Sequence, residues 1–366
     1  MARALDLAER AKGWCNPNPA VGAVLVRDGH IVGEGFTQPR GQAHAEIVAL
    51  EQAGPDAEGA TLFVTLEPCA HHGLTGPCTE RLVAAGIADV HCSMLDPSAW
   101  VDGRGKAELE RHGIRVTVGE GAEIARRLNQ DYLRWVRAGR PFVTAKYAMS
   151  LDGKIATHTG SARWVSGEAA RALVGRMRSR ADAVLVGVDT VLADDPSLTA
   201  RAADGSLLAR QPLRVVLDSR GRLPASARVA SGSLPGRTLV ATTPSGQAEL
   251  ATRTSDSLEI WVGRPGPDGR VHLAQLLEEL ARRSLISVLV EAGGTLLAAL
   301  LEQRLIDEVV AFIAPKLVGG RAAPTPLAGR GVEDMAAALD LLDVTYERVG
   351  ADVLVRGYLQ SCSPAS

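Results

Sequence analysis

The sequence predicts an α/β protein built from two domains. Three observations carry this. The chain has 366 residues, which at roughly 150 per domain is about two. Short apolar runs rich in Val and Leu alternate with segments of helical spacing that close on Gly. Hydrophobic residues make up 46% and charged residues 22%, a balance that supplies ordinary buried cores.

Taken in order, MARALDLAERAKG at the start reads as an amphipathic helix, with charges every few residues. VGAVLV (21–26) and IVGEGF (31–36) flank Asp28-Gly29 and read as a hairpin. HAEIVALEQAG (44–54) has helical spacing at Ile47, Leu50 and Glu51 and stops on Gly54. TLFVTLE (61–67) reads as a strand, TERLVAAG (79–86) as a short helix and DVHCSML (89–95) as a strand. KAELERHG (106–113) is a helix, RVTVG (115–119) a strand, and residues 121–139 one longer helix with an apolar stripe. That β-β-α-β-α-β-α-β order implies a sheet with helices packed on it. RAGRP (137–141) marks a boundary, so the expected domains are 1–139 and 140–360. Beyond it come a strand in FVTAKYAMSLDG and a helix at 167–180. Further strands are expected at 183–188, 213–219, 238–243, 259–263 and 286–294. Residues 195–212 and 220–236 read as loops, and the tail after Leu359 as frayed.

Several function classes are disfavoured. Lys plus Arg is 40 against 42 for Asp plus Glu, a poor electrostatic footprint for nucleic acid or an acidic membrane. No apolar run reaches the 18 or so residues of a membrane span. Five cysteines (Cys15, Cys69, Cys78, Cys92, Cys362) in a chain this long are not a disulfide framework, and a cytoplasmic location is expected.

The chemistry-bearing pattern is His44-Ala-Glu46, then Pro68-Cys69 after a strand, then Cys78 at a helix start. One imidazole and two thiolates neutralise Zn²⁺ and leave a fourth position for water, whose pKa the metal lowers. Residues i and i+2 do not share a helix face. His44 must therefore sit at the helix entry and Glu46 in the first turn if both are to flank one water. Glu46 then moves a proton from that water to a leaving amine. Zinc nucleobase deaminases carry H-x-E followed by P-C-x-x-C, but here eight residues, AHHGLTGP, separate the cysteines. Cys15, Cys92 and Cys362 lack such context and read as packed thiols; His72, His91, His112 and His272 read as surface or packed histidines.

The string NPNPAVGAVLV…HAE…TLEPCAHHGLTGPC resembles the bifunctional pyrimidine deaminase/reductase family of riboflavin biosynthesis. The resemblance implies a cytidine-deaminase-like three-layer first domain. It implies His44, Cys69 and Cys78 as zinc ligands, one ion per chain, with Glu46 as proton shuttle. It also implies that Asn18 and His71 contact the substrate, 2,5-diamino-6-ribosylamino-4(3H)-pyrimidinone 5′-phosphate. The family usually carries Lys or Arg where this chain has Leu74. Either Arg40 or Arg104 substitutes for that cation, or deamination is weakened.

The second half has no G-x-G-x-x-G motif, only Gly-rich turns such as Gly293-Gly294-Thr295 before a helix. Such a turn can cradle a pyrophosphate where missing Cβ atoms allow close approach, though most are structural. The resemblance continues through SLDGKIAT, ARW, DTVLADDPSLTAR, LRVVLDSRGRLP, VEAGGTLLAALL and DEVVAFIAPKLVGG, and covers about residues 1–359. It implies a dihydrofolate-reductase-like α/β domain that uses NADPH to reduce the ribosyl side chain to ribityl. It puts Lys146, Ala148, Trp164, Thr190, Asp194, Ser219, Gly293, Gly294 and Thr295 about the cofactor. Arg178, Leu198, Arg201 and Glu291 line the ribose-phosphate side, and Ser219, with Arg220 beside it, suits the 2′-phosphate. Ala162 stands where the family has Ser. The expected partner is a small pyrimidine nucleotide, in a homo-oligomer, with no nucleic acid and no membrane. The alternative, a nucleic-acid base deaminase with an accessory C-terminal module, fits the charge balance poorly. A non-catalytic relative is favoured only by Leu74 and Ala162.

Overall fold

The structure, a computed structural model, describes residues 1–251 and 258–359, so Cys362 and the tail lie outside the described residues. The chain separates into two compact units that meet in sequence at Arg140-Pro141.

The first unit runs α1 (Ala2–Ala11), β1 (Gly22–Arg27), β2 (His30–Phe36), α2 (Ala45–Ala53), β3 (Thr61–Val64) and α3 (Cys78–Ala84). It continues with β4 (Asp89–Cys92), α4 (Arg104–Arg111), β5 (Arg115–Val118), α5 (Ala122–Leu128) and α6 (Gln130–Ala138). The sheet order is β2-β1-β3-β4-β5. The first three strands pair antiparallel and the last three parallel. Asp28 and Gly29 take φ of 52° and 78°, the left-handed pair that a tight hairpin needs. α1 buries Ala4, Leu5, Leu7, Ala8 and Ala11 and packs on the Val24 side of the sheet. α2 lies on the opposite side, its backbone close against Gly33 and Gly35. The unit is thus the three-layer arrangement expected.

One prediction fails here. Residues 121–139 form two helices, not one, with the break at Asn129. Asn129 is buried, and its side-chain amide mimics a strand partner for Ala20. It accepts from Ala20 N–H at 2.7 Å and donates to Ala20 O at 3.0 Å. That local bonding competes with helix continuation. The strands predicted at 61–67 and 89–95 also stop early, at Val64 and Cys92, which leaves Glu67 in the loop that leads to Cys69.

The second unit contains β6 (Phe142–Ser150), α7 (Glu168–Arg180), β7 (Ala183–Gly187), α8 (Val188–Asp194), β8 (Leu213–Leu217) and β9 (Thr238–Thr242). Next come α9 (Pro244–Leu250), β10 (Leu258–Val262), α10 (Leu273–Arg282), β11 (Ser287–Val290) and α11 (Gly294–Glu302). β12 (Glu308–Ala314), β13 (Leu341–Val349) and β14 (Asp352–Leu359) close it. The order is β10-β9-β8-β7-β11-β6-β12-β14-β13. β10 to β12 are parallel neighbours, and the last two strands are antiparallel. Central strands buried on both faces explain the unbroken Val/Leu runs. One face packs Leu185, Val215, Leu239 and Val290 against Leu276 and Leu280 of α10 and Leu297 and Leu300 of α11. The other packs Val184, Val186, Val216 and Val240 against Val191 and Leu223. Helices α8, α9 and α10 and strands β12 to β14 were not among the predicted elements. α9 nonetheless carries a plain start signal: Thr243 caps Gly246 N–H and Pro244 follows.

Candidate functional site

In the first unit three sequence-distant side chains meet. His44 is the N-cap of α2, in extended conformation (φ −72°, ψ 163°), so its ring turns off the helix axis. Cys78 is the first residue of α3, and Cys69 lies in the loop that leaves β3. The donor atoms of all three lie within 4.8 Å of one another. His44 Nδ1 is 3.3 Å from Cys78 Sγ and 3.6 Å from Cys69 Sγ. The Cys78 backbone N–H donates to Cys69 Sγ at 3.4 Å, so a helix start faces the sulfurs. His44 Nε2 stands 3.4 Å from Thr75 Oγ1. That contact fixes the ring so that Nδ1 is the ligand atom.

The donor set fits zinc. One imidazole and two sulfurs converge from separate elements, and three protein ligands leave a fourth position open. Hydrogen bonding from Cys78 lowers the Cys69 thiol, while the same contact and burial raise that of Cys78. Glu46, one residue into α2, is 4% exposed. Burial pushes its carboxyl up to about 7, with Cys69 adding to the rise and His44 opposing it. Glu46 therefore flanks the ligands from the first turn, as the i, i+2 argument requires.

The surroundings are built by residues the sequence reading passed over. Glu67 is buried and accepts three backbone N–H bonds, from Asp96 (3.1 Å), Gly103 (3.1 Å) and Lys106 (2.9 Å). It thereby caps α4 and ties the 96–103 loop to the strand that precedes Cys69. Gly105 permits this approach, since a Cβ there would lie 1.9 Å from Pro68 O. His71 has a buried Nδ1 with no hydrogen-bond partner, and Trp100 lies 6.5 Å away. Asp96 accepts the Tyr132 hydroxyl at 2.9 Å. Asn18 is pinned through its backbone, accepting from Cys15 Sγ at 3.2 Å, while its side-chain amide makes no hydrogen bond to any described residue. Leu74 is 74% exposed and borders Gly41, the neighbour of Arg40. Arg40 and Arg104 are both exposed and have no acidic partner among the described residues. His72 is solvent-facing near Glu80, His91 stacks on Phe63, His112 sits beside Glu108, and His272 caps α10.

The second unit holds a cavity of about 760 Å³ at the carboxyl ends of its parallel strands, the usual ligand position in such sheets. Thr190, Ser219, Gly293, Gly294 and Thr295 line it, with Arg220, Arg222, Arg270 and His272. The two glycines differ. A Cβ on Gly293 would meet nothing within 4 Å, whereas one on Gly294 would lie 2.6 Å from Thr325 O. Only Gly293 presents open backbone; Gly294 serves packing.

Lys146, Ala148, Trp164 and Asp194 are not among the cavity's lining residues. Lys146 instead lies 3.7 Å from Glu291. Arg178 grips Glu291 with two bonds, 2.6 and 3.0 Å, and Thr199 O with a third at 3.0 Å. Burial alone would raise the Glu291 carboxyl, but Arg178 and Lys146 hold it below the usual range. Burial lowers the Lys146 amine. Arg201 bonds Thr199 Oγ1 and Gly205 O. Buried Leu198 sits at φ 52° between them and α8. The Trp164 ring is 62% exposed with Arg171 4.6 Å above it, and its carbonyl accepts from Lys316 Nζ at 2.6 Å. Ala148 packs beside Phe312. The Asp194 carbonyl accepts from Arg163.

Comparison with known proteins adds the family context. Residues 1–94 match the cytidine and deoxycytidylate deaminase zinc-binding region, and residues 141–355 match the RibD C-terminal domain. The riboflavin biosynthesis protein RibD of Escherichia coli is 41% identical over 362 residues, covering 96% of each chain. That of Actinobacillus pleuropneumoniae is 39% identical, covering 97% of this chain and 93% of the relative. Among solved structures, Acinetobacter baumannii RibD superposes with a TM-score of 0.86 at 39% identity, covering 98% of both chains. A Thermotoga maritima diaminohydroxyphosphoribosylaminopyrimidine deaminase/5-amino-6-(5-phosphoribosylamino)uracil reductase gives 0.85 at 36% identity, covering 98% of this chain and 97% of that one.

Proposed function

This chain belongs to the RibD family of riboflavin biosynthesis, and on that premise we propose how its two units divide the work. The protein is a bifunctional deaminase and reductase with zinc and NADPH as cofactors, and its second half is dihydrofolate-reductase-like. We assign deamination of the diaminopyrimidine ribosyl phosphate to the first unit and reduction of the ribosyl chain to the second. The observation that carries the reading is the convergence of His44, Cys69 and Cys78 beside buried Glu46.

Zinc bound by those three residues supplies a Lewis acid that makes water nucleophilic near neutral pH. Glu46 takes the proton from the attacking water and passes it to the departing amine. A C–O bond forms at the amine-bearing ring carbon, the exocyclic C–N bond breaks and ammonia leaves. The buried, unpartnered Nδ1 of His71 and the side-chain amide of Asn18 support their reading as groups that hold the pyrimidine.

In the second unit NADPH supplies a hydride for C1′ of the opened ribose. We assign its pyrophosphate to the open backbone at Gly293 and Thr295, and its sugars to Thr190 and Ser219. Ala148, Trp164 and Asp194 then shape the cofactor side without lining the cavity itself, while Gly294, which lines it, packs against Thr325 O. Arg178 is committed to Glu291 and Thr199, so Arg201 is the better cation for the substrate phosphate, with Leu198 at its base. Lys146, desolvated and beside Glu291, is the group we assign to proton delivery at the reduced centre.

We expect a cytoplasmic homo-oligomer acting on a small nucleotide. None of the described cysteines is bridged. Among the described residues no helix is long and apolar enough to cross a membrane. The test is chelation. Removing zinc should abolish ammonia release from the diaminopyrimidine nucleotide and leave NADPH oxidation on the deaminated nucleotide intact. A deamination rate that survives chelation overturns the assignment.

A further inference from the structure

Trp100, in the loop between β4 and α4, is 71% exposed. The loop beneath it is closed by its own hydrogen bonds. Ser98 N–H donates to Asp96 Oδ1 at 2.9 Å, Val101 N–H to Ser98 O at 2.8 Å and Asp102 N–H to Asp96 O at 3.1 Å. The N–H of Trp100 itself donates to Ser98 Oγ at 3.4 Å. Asp96 and Val101, on either side in sequence, are buried. The loop is also tied to the chain that carries a metal ligand. Glu67, two residues before Cys69, accepts from Asp96 N–H and Gly103 N–H, both at 3.1 Å. Gly105 packs so closely on Pro68 that a Cβ would lie 1.9 Å from its carbonyl oxygen. The backbone that sets Cys69 therefore also sets the indole.

The indole centroid lies 6.5 Å from that of the His71 ring, with the planes inclined at 38°. That is the outer part of the range for paired rings, roughly 4.5–7 Å, and the two faces do not cover each other. An open aromatic face thus stands beside a histidine whose buried Nδ1 has no hydrogen-bond partner. From the same loop as His71, Thr75 Oγ1 reaches to 3.4 Å from His44 Nε2. Polar edge and apolar face are therefore neighbours at the metal ligands. An aminopyrimidine needs both, donors and acceptors in its plane and a π surface above it. Stacking on an aromatic side chain takes apolar area of both partners out of water.

We infer that Trp100 is the platform on which the pyrimidine ring of the deaminase substrate stacks, and that it sets affinity for that ring. This rests on the assignment of deamination to the first unit. Trp100 is a binding residue. An indole has one N–H donor and no acceptor, so it takes no part in moving the proton. Its loss raises KM and leaves the chemical step to zinc and Glu46.

The test uses the full-length, zinc-loaded protein with Trp100→Phe, Trp100→Leu and a control, Ile31→Ala. Ile31 is also exposed and apolar, but it sits at the hairpin end of β2, opposite the end that leads to His44. With the diaminopyrimidine nucleotide, Trp100→Leu should raise KM about 10-fold and Trp100→Phe less than about threefold. In both, kcat should stay within about twofold of wild type. Ile31→Ala should match wild type. Stacking carries no charge, so the ratio of the Trp100→Leu and wild-type KM values should not change with salt. The second readout is fluorescence. Glu46→Gln holds the nucleotide without turning it over, so binding should quench tryptophan emission, and adding Trp100→Phe should diminish the quench. The platform is overturned if Trp100→Leu keeps the wild-type KM, if only its kcat falls, or if the quench is the same without the indole. A changed oligomeric state with KM unaltered also overturns it, and assigns the indole to a subunit contact. Zinc content equal to wild type shows that the site is intact in each variant. Should Trp100→Leu lose zinc, the quench in Trp100→Phe decides. A wild type that releases no ammonia from this nucleotide overturns the deaminase assignment, and the platform with it. A wild type that does, beside an unaffected Trp100→Leu, overturns the platform alone.

Discussion

The two sites of this chain solve different problems of assembly. In the first unit the ligands touch one another: His44 and the two sulfurs lie within 4.8 Å, held by two helix starts and a loop that Glu67 and Thr75 brace. In the second the groups line an open space of about 760 Å³, and its charged members sit on loops at strand ends. A metal centre needs a few residue types at fixed spacing, so almost any change empties it. A cofactor cleft spreads recognition over many weak contacts, so most changes tune it. The comparison teaches that substitutions in the first unit should act as switches and those in the second as graded losses.

The sharpest way to break this contrast is Glu46→Gln. Deamination should fall about 10³-fold, the weight of a positioned proton carrier, while reduction of the deaminated nucleotide is unchanged. An equal fall in both rates, measured in separate assays, would mean that the sites are not independent.

Next in size is Glu291→Ala, which leaves Lys146 and Arg178 buried without a counter-ion. Breaking such a pair costs roughly 3–5 kcal/mol, read as a lower unfolding temperature with reductase activity lost. The pH dependence follows from the depressed Glu291 carboxyl. Its contribution is full above the ordinary carboxyl pKa and disappears as pH falls through the lowered, folded-state value. The stability gap between wild type and Glu291→Gln should therefore close on acidification. A gap that widens contradicts the ion cluster.

Asn129→Ala leaves the Ala20 N–H and C=O without partners at the α5–α6 break. About 2–3 kcal/mol should be lost, and calorimetry should show it in the first unit's transition. The smallest effect is expected from Leu74→Arg. A cation there, beside the candidate zinc site, should lower the deaminase KM about 3–10-fold with kcat nearly unchanged. No change in KM would mean that Arg40 or Arg104 already supplies that charge.

How much of this was legible beforehand divides along the same line. The convergence of His44, Cys69 and Cys78 could be anticipated because metal chemistry restricts residue type, and the placing of His44 at the helix entry with Glu46 in the first turn follows from the i, i+2 spacing. The hairpin at Asp28-Gly29 was legible because left-handed backbone favours those residues. The break at Asn129 was not, because the apolar stripe of 121–139 runs through it. The bond to Ala20 is a tertiary contact 109 residues away. Glu67 was hidden for the same reason: its three partners are backbone amides, which leave no mark on sequence. The commitment of Arg178 to Glu291 spans 113 residues. The cavity of the second unit was traceable from residue pattern alone only at its Gly-rich turn, since Ser219 meets Val271 through a loop with no periodicity.

The most direct measurement is the zinc content of purified wild type and of Cys78→Ser, with reductase activity as the check of folding. One zinc per chain in the wild type and nearly none in the variant, with NADPH oxidation intact, is the expected result. A variant that keeps its full zinc would show that the ion is held elsewhere, and the account of the first unit would be wrong.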